Sequence, residues 1–128
     1  MQYKLTAPVS ISISKNKSLA LNLNVYRNAH FQSLNKAKVN FKAHMAKQIE
    51  PITPMNKVHV KYILFVGSKR LLDIANVCTV VDKFFMDALV EMGKLPDDNY
   101  EHLTNITFEY GGYDKANPRV EIILEECQ

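Results

Sequence analysis

Apolar and polar residues alternate from Val9 to Ser14, as they do along a half-buried strand. Lys15-Asn16-Lys17-Ser18 then reads as a turn, and alternation resumes from Leu19 to Leu23, so the two runs are expected to pair as a hairpin. Asn22, Asn24 and Asn28 surround Tyr26 and Arg27 in a polar connection. Such residues serve equally as turn formers and as a grip on a sugar-phosphate backbone. Ser33 is placed to cap a helix whose apolar residues Leu34, Ala37, Phe41, Met45 and Ile49 recur at helical spacing, and Pro51 and Pro54 end it. Val58 to Val66 begins by alternating and ends as a continuous apolar run, which suits a strand inside a sheet. Gly67-Ser68 breaks that run. A second helix follows, capped by Asp73 or Asn76, running to about Met92 and stopped by Gly93. Its buried side is Val77, Val80, Val81, Phe84, Phe85, Ala88, Leu89 and Met92.

Pro96-Asp97-Asp98-Asn99 is a turn cluster. Leu103 to Tyr110 reads as a strand, the stretch from Gly111 to Pro118 as a loop, and Val120 to Leu124 as a closing strand that pairs with it in a hairpin. The pattern therefore predicts an α/β (α+β) fold, a small mixed β-sheet packed against two helices, in one domain covering residues 1–128.

Composition agrees with a globular chain: 47% of the 128 residues are hydrophobic and 23% charged, which leaves little room for disorder. No apolar run approaches the ~20 residues that span a bilayer, and MQYKLTAPVSIS lacks the apolar core of a leader. The expectation is a cytoplasmic protein with no membrane partner, whose Cys78 and Cys127 are free thiols. The net charge of +3 is unevenly spread: residues 1–70 hold twelve Lys and Arg against the single acid Glu50, and the other twelve acids begin at Asp73. A basic half joined to an acidic half suits a chain that holds phosphate with one part and a cation with the other; a solvated basic surface has the same composition.

Candidate chemistry gathers between Leu71 and Asn99. Asp73 precedes the helix, Asp97-Asp98 follow it, and Asp82, Lys83 and Asp87 lie within it. Asn76, Lys83 and Asp87 return to one helical face, while Asp82 points elsewhere. Carboxylates converging at turns would hold Mg²⁺ or Mn²⁺, since such hard cations take oxygen ligands and retain water, and Lys83 would neutralise a phosphate or orient a carboxylate. The same residues also read as a helix cap, a turn and a solvated helix charge. His30 and His44 have no matching His or Cys spacing and are taken as surface residues. Walker loops, dinucleotide glycine motifs and nucleophile elbows are missing from the sequence, which removes their chemistries.

The order of these motifs resembles the RusA family of Holliday-junction resolvases, common in phages and prophages. The likeness rests on Lys69-Arg70, Asp73-Ile74-Ala75-Asn76, Lys83, Asp87-Ala88-Leu89 and Asp97-Asp98, and is strong from Lys69 to Asn99. It implies a RusA-like fold, a homodimer, and a Mg²⁺-dependent endodeoxyribonuclease that cuts four-way or otherwise branched DNA by paired nicks. It implies Asp73, Lys83 and Asp98 as catalytic residues, with Asp82, Asp87 or Asp97 completing the metal set. The expected DNA contacts are Asn24, Arg27, Asn28, Lys69, Arg70 and Asn76. Two departures stand out. The family motif is usually Asp-Leu-Asp-Asn, and Ala75 occupies the place of its second metal-binding Asp. The step from Asn76 to Lys83 is longer by about one helical turn, ~3.6 residues. Three outcomes fit the missing Asp: a relocated ligand, a weakened enzyme, or a resolvase fold that binds DNA as a non-catalytic or regulatory dimer.

Overall fold

The structure, a computed structural model, describes residues 1–127. Among these residues the elements run β1 (Gln2–Ala7), β2 (Ser10–Ser14), β3 (Lys17–Ala20), α1 (Leu23–Asn28), α2 (Phe31–Ile49), β4 (Val58–Val66), α3 (Ile74–Glu91), β5 (Leu103–Tyr113) and β6 (Arg119–Glu126). Four strands form one mixed sheet in the order β1-β6-β4-β5, and β2 and β3 form a separate antiparallel hairpin. The α+β class with a mixed sheet is therefore as the pattern predicts, with three helices instead of two.

The additional helix is α1. The Asn-rich stretch expected as an irregular connection coils because Asn22 caps it, its side-chain oxygen accepting from the Val25 amide at 2.9 Å. α2 also starts earlier than expected. His30, not Ser33, is its N-cap, with the ring Nδ1 accepting from the Gln32 amide at 3.2 Å. The predicted apolar stripe is the one that packs: Ala37, Phe41, Met45 and Ile49 are buried.

The expected hairpin of the last two strands does not form. β5 pairs parallel with β4, and β6 lies on the other side of β4, antiparallel to both β4 and β1. The reason is the helix between β4 and β5: a strand that returns after a helical crossover lies parallel to the one it left. The 114–118 loop then steps across the end of β4, two strand spacings or ~10 Å, to begin β6. The Asp114 amide bonds the Val66 carbonyl at 2.8 Å and anchors that step.

β4 is thus the middle of the molecule. Val58, Val60, Tyr62 and Leu64 are buried on one face of it, opposite Ile122 and Leu124 of β6. α3 covers this face with Phe84, Phe85 and Leu89, and Phe41 of α2 meets Phe84 edge-on at 5.6 Å. β5 is an edge strand, longer than predicted by Gly111-Gly112-Tyr113. No helix among the described residues is long and apolar enough to cross a membrane. Cys78 and Cys127 are both free.

Candidate functional site

Helical geometry separates the two ends of the acidic segment. Asp82 is nine residues on from Asp73, about 13 Å along the axis at ~1.5 Å each. Asp73 is the exposed N-cap of α3, and its carboxylate takes no capping hydrogen bond from the helix. Asn76 follows it in the first turn, its amide bonded to the Asp73 carbonyl at 3.0 Å.

The grouping that does form is centred on Asp82. Its neighbours one turn away, Cys78, Phe85 and Met86, are all buried, so the carboxylate is carried towards the sheet. There it accepts the Tyr62 hydroxyl at 2.6 Å. Tyr62 is fully buried, and its ring is fixed edge-on by Phe85 at 6.4 Å and Phe108 at 5.8 Å. Desolvation raises the Asp82 pKa above the usual carboxylate value, the Tyr62 hydrogen bond opposes this, and the charges of Asp98 and Asp87 raise it further against Lys83. The same burial, with the Asp82 charge added, holds the Cys78 thiol up at about 12, so it is inert as a nucleophile.

Asp98, exposed in the turn after α3, acts on Asp82 through its charge. Its pKa is raised first by desolvation, then by its hydrogen bond with Asp97 and by the charges of Asp97 and Asp87. Asp97 spends its two oxygens on the turn, accepting from the Asp98 amide at 2.7 Å and from the Asn99 side chain at 3.2 Å. That is the turn-former reading of Asp97. Asp87 is drawn instead towards Lys38 of α2, at 3.7 Å, in a half-exposed ion pair.

Lys83 is exposed, with its ammonium 6.0 Å from the centre of the Tyr26 ring in α1. Tyr26 also tilts against Phe84 at 6.4 Å, so α1 is seated on α3 beside Lys83. Asn24 and Arg27, on the same short helix, are both exposed. The Asn28 side chain is turned inward to its own helix and donates to the Asn24 carbonyl at 2.8 Å. Lys69 and Arg70 stand apart from these residues, beyond the end of β4, where the Arg70 amide bonds the Ser68 hydroxyl at 3.2 Å.

Asp82, Lys83 and Asp87 thus lie along the middle and second half of α3 with Asp98 in the turn beyond it, while Asp73 stands with Lys69 and Arg70 near the start of the helix. Among the described residues no three Asp, Glu, His or Cys side chains are close enough together to hold a metal ion by themselves. In chemical type the donors suit a hard cation: carboxylate oxygens, with Asp82 and Asp98 both disfavoured as bare anions. Sequence reasoning did not find Tyr62 as the anchor of Asp82. The available signal was the position of Asp82 between apolar residues four before and three and four after it. Neither a protein-family model nor a curated protein matches this chain.

Proposed function

We propose that the protein is a metal-dependent endodeoxyribonuclease acting on branched DNA, four-way junctions among them, as a cytoplasmic homodimer. What supports this reading is the half-buried Asp82 carboxylate, held at 2.6 Å by the Tyr62 hydroxyl and subject to the charge of Asp98 from the turn after α3, beside the exposed Lys83. Mg²⁺ commonly takes one or two protein carboxylates and completes its sphere with water and substrate phosphate, and this pair supplies that number. When bound, the ion would polarise the scissile phosphate and acidify a water. Asp82 and Asp98 would hold it, with Asp87 at its flank. Asp82 takes the role that the resemblance assigns to the position now filled by Ala75. Tyr62 keeps the Asp82 carboxylate in one orientation. Lys83 neutralises charge on the phosphate, and Arg27 and Asn24 on α1 track the neighbouring backbone. Asp73 is then outside the metal set, next to the DNA-facing Lys69-Arg70 pair.

Purified protein incubated with Mg²⁺ and an end-labelled four-way junction should yield paired nicks. Asp98→Asn should abolish them while the junction is still shifted in a gel, and Asp73→Asn should cost far less. Equal loss in both variants would return Asp73 to the metal set. A junction that is shifted but never nicked favours the second reading, a non-catalytic DNA-binding dimer. The observation on that side is the distance of Asp73 along α3 from the other acids.

A further inference from the structure

One opening on the surface lies away from the acids. It lies where β4 and β5 end and α3 begins, a pocket of about 470 Å³, within the ~300–1,000 Å³ range of small-ligand clefts. Leu64, Val66 and Ile74 floor it, Tyr110 and Tyr113 of β5 form one side, and Lys69 and Arg70 lie across from them. None of its lining residues is acidic.

The two tyrosines meet by a backbone device. Residues 110 and 113 are an odd number apart, so regular pleating would send them to opposite faces. A bulge intervenes: Leu64 pairs with Tyr110 but Phe65 with Gly112 and Val66 with Tyr113, so one extra residue is taken up at Gly111. Leu64 and Val66 share a face, and both tyrosines therefore rise on it. Both glycines are needed for this. A Cβ at Gly111 would lie 2.7 Å from the Phe65 ring and 2.8 Å from Ile63, and Gly112 has φ +133°. The outcome is two rings left 58% and 45% exposed at the mouth of an apolar pocket, with the Lys69 ammonium 5.6 Å from the Tyr113 ring centre.

We infer that this pocket receives an unstacked nucleobase, which lies against Tyr110 and Tyr113 while Lys69 and Arg70 hold its flanking phosphates. Aromatic faces beside cations, over an apolar floor, suit a base with its phosphodiester. A second copy of the chain fits less well, because a two-fold contact centred here would crowd the Lys69-Arg70 pairs of both copies. The inference rests on the DNA reading above and sharpens it: the substrate must offer an unpaired or extrudable nucleotide near the cut.

The chain has six Tyr and no Trp, so stacking is read directly as quenching of tyrosine fluorescence. Titration without metal, so that no cleavage intervenes, would use oligothymidylate, a forked duplex with single-stranded arms, and a fully paired duplex. The expected result is quenching by the first two and tighter binding of the fork than of the duplex. Tyr110→Ala with Tyr113→Ala should weaken fork binding roughly 5- to 150-fold and leave duplex binding unchanged. The matching Phe replacements should retain it, since stacking does not need the hydroxyl. Equal loss on fork and duplex, an unaltered fork preference, or a shift from dimer to monomer in sedimentation would overturn the pocket assignment and leave the nuclease reading intact. Wild-type protein that binds no DNA of any kind would remove both.

Discussion

Asp82 is a carboxylate with two obligations. It is half-buried against Tyr62, and it faces the charges of Asp98 and Asp87. Its folded pKa lies above the unfolded one, so the favourable linkage is fully present below the unfolded value and is lost as pH rises through the folded value. At neutral pH the ionised group therefore weighs against folding. Asp82→Asn keeps an acceptor for the Tyr62 hydroxyl and removes the charge. It should raise Tm by a few degrees at pH 7, with the gain vanishing as pH falls towards ordinary carboxylate values, in thermal melts across a pH series. The proposed chemistry needs these acids ionised. Cleavage should accordingly fail on acidification above the ordinary carboxylate range, and added Mg²⁺ should move the failure to lower pH by competing with protons. A loss of activity that ignores Mg²⁺ concentration would separate these groups from the metal.

At the scale of elements, β5 is held to β4 by a regular parallel ladder from His59 to Leu64 and by the glycine bulge after it. Overfilling that bulge should be costly. Gly111→Ala places a methyl against the Phe65 ring and Ile63 and should destabilise the fold by about 1–3 kcal/mol, measured as a lowered denaturation midpoint. Phe65 has little freedom to yield, because the Arg119 guanidinium lies 4.0 Å from its ring centre and is itself held by Asp114 and Glu121 at 2.9 Å each. An unchanged midpoint would mean that the bulge is soft and that the two tyrosines are not fixed on one face.

For the molecule as a whole, folding interleaves much of the charge that the sequence segregates, pairing Lys4, Lys38, Lys42 and Lys61 with Glu121, Asp87, Glu91 and Glu109. α3 carries Asp82 and Asp87 at its middle, while Lys69 and Arg70 lie before its start. A duplex lying along α3 would meet cations first at one end and the acidic group farther on. Affinity for DNA should fall with salt at a log–log slope of about −0.9 for each phosphate contacted. Replacing Lys69 and Arg70 together by Ala should flatten that slope by about two, measured by titrations over a range of salt. A slope near zero in the wild type would make the basic half a solvated surface. The proposed homodimer should sediment at twice the chain mass.

Local patterning was enough to reveal much of this protein. The β2-β3 hairpin, the stripe Ala37, Phe41, Met45 and Ile49, the bounds of β4, and the Gly93 stop of α3 all depend on residues within a few positions of one another. Periodicity registers such relations because each is set by a single backbone geometry. Strand order is different. Whether β6 sits beside β5 or beside β4 depends on which apolar faces meet after α3 has crossed, and no short window of sequence contains that information. The acids follow the same division. The acidic segment from Asp73 to Asp98 is plain in the sequence, yet only the tertiary fold sets Asp82 against Tyr62 and leaves Asp73 exposed at the start of α3. The joining of Tyr110 to Tyr113 is likewise tertiary, since one extra residue opposite Phe65 reverses the parity that the sequence implies.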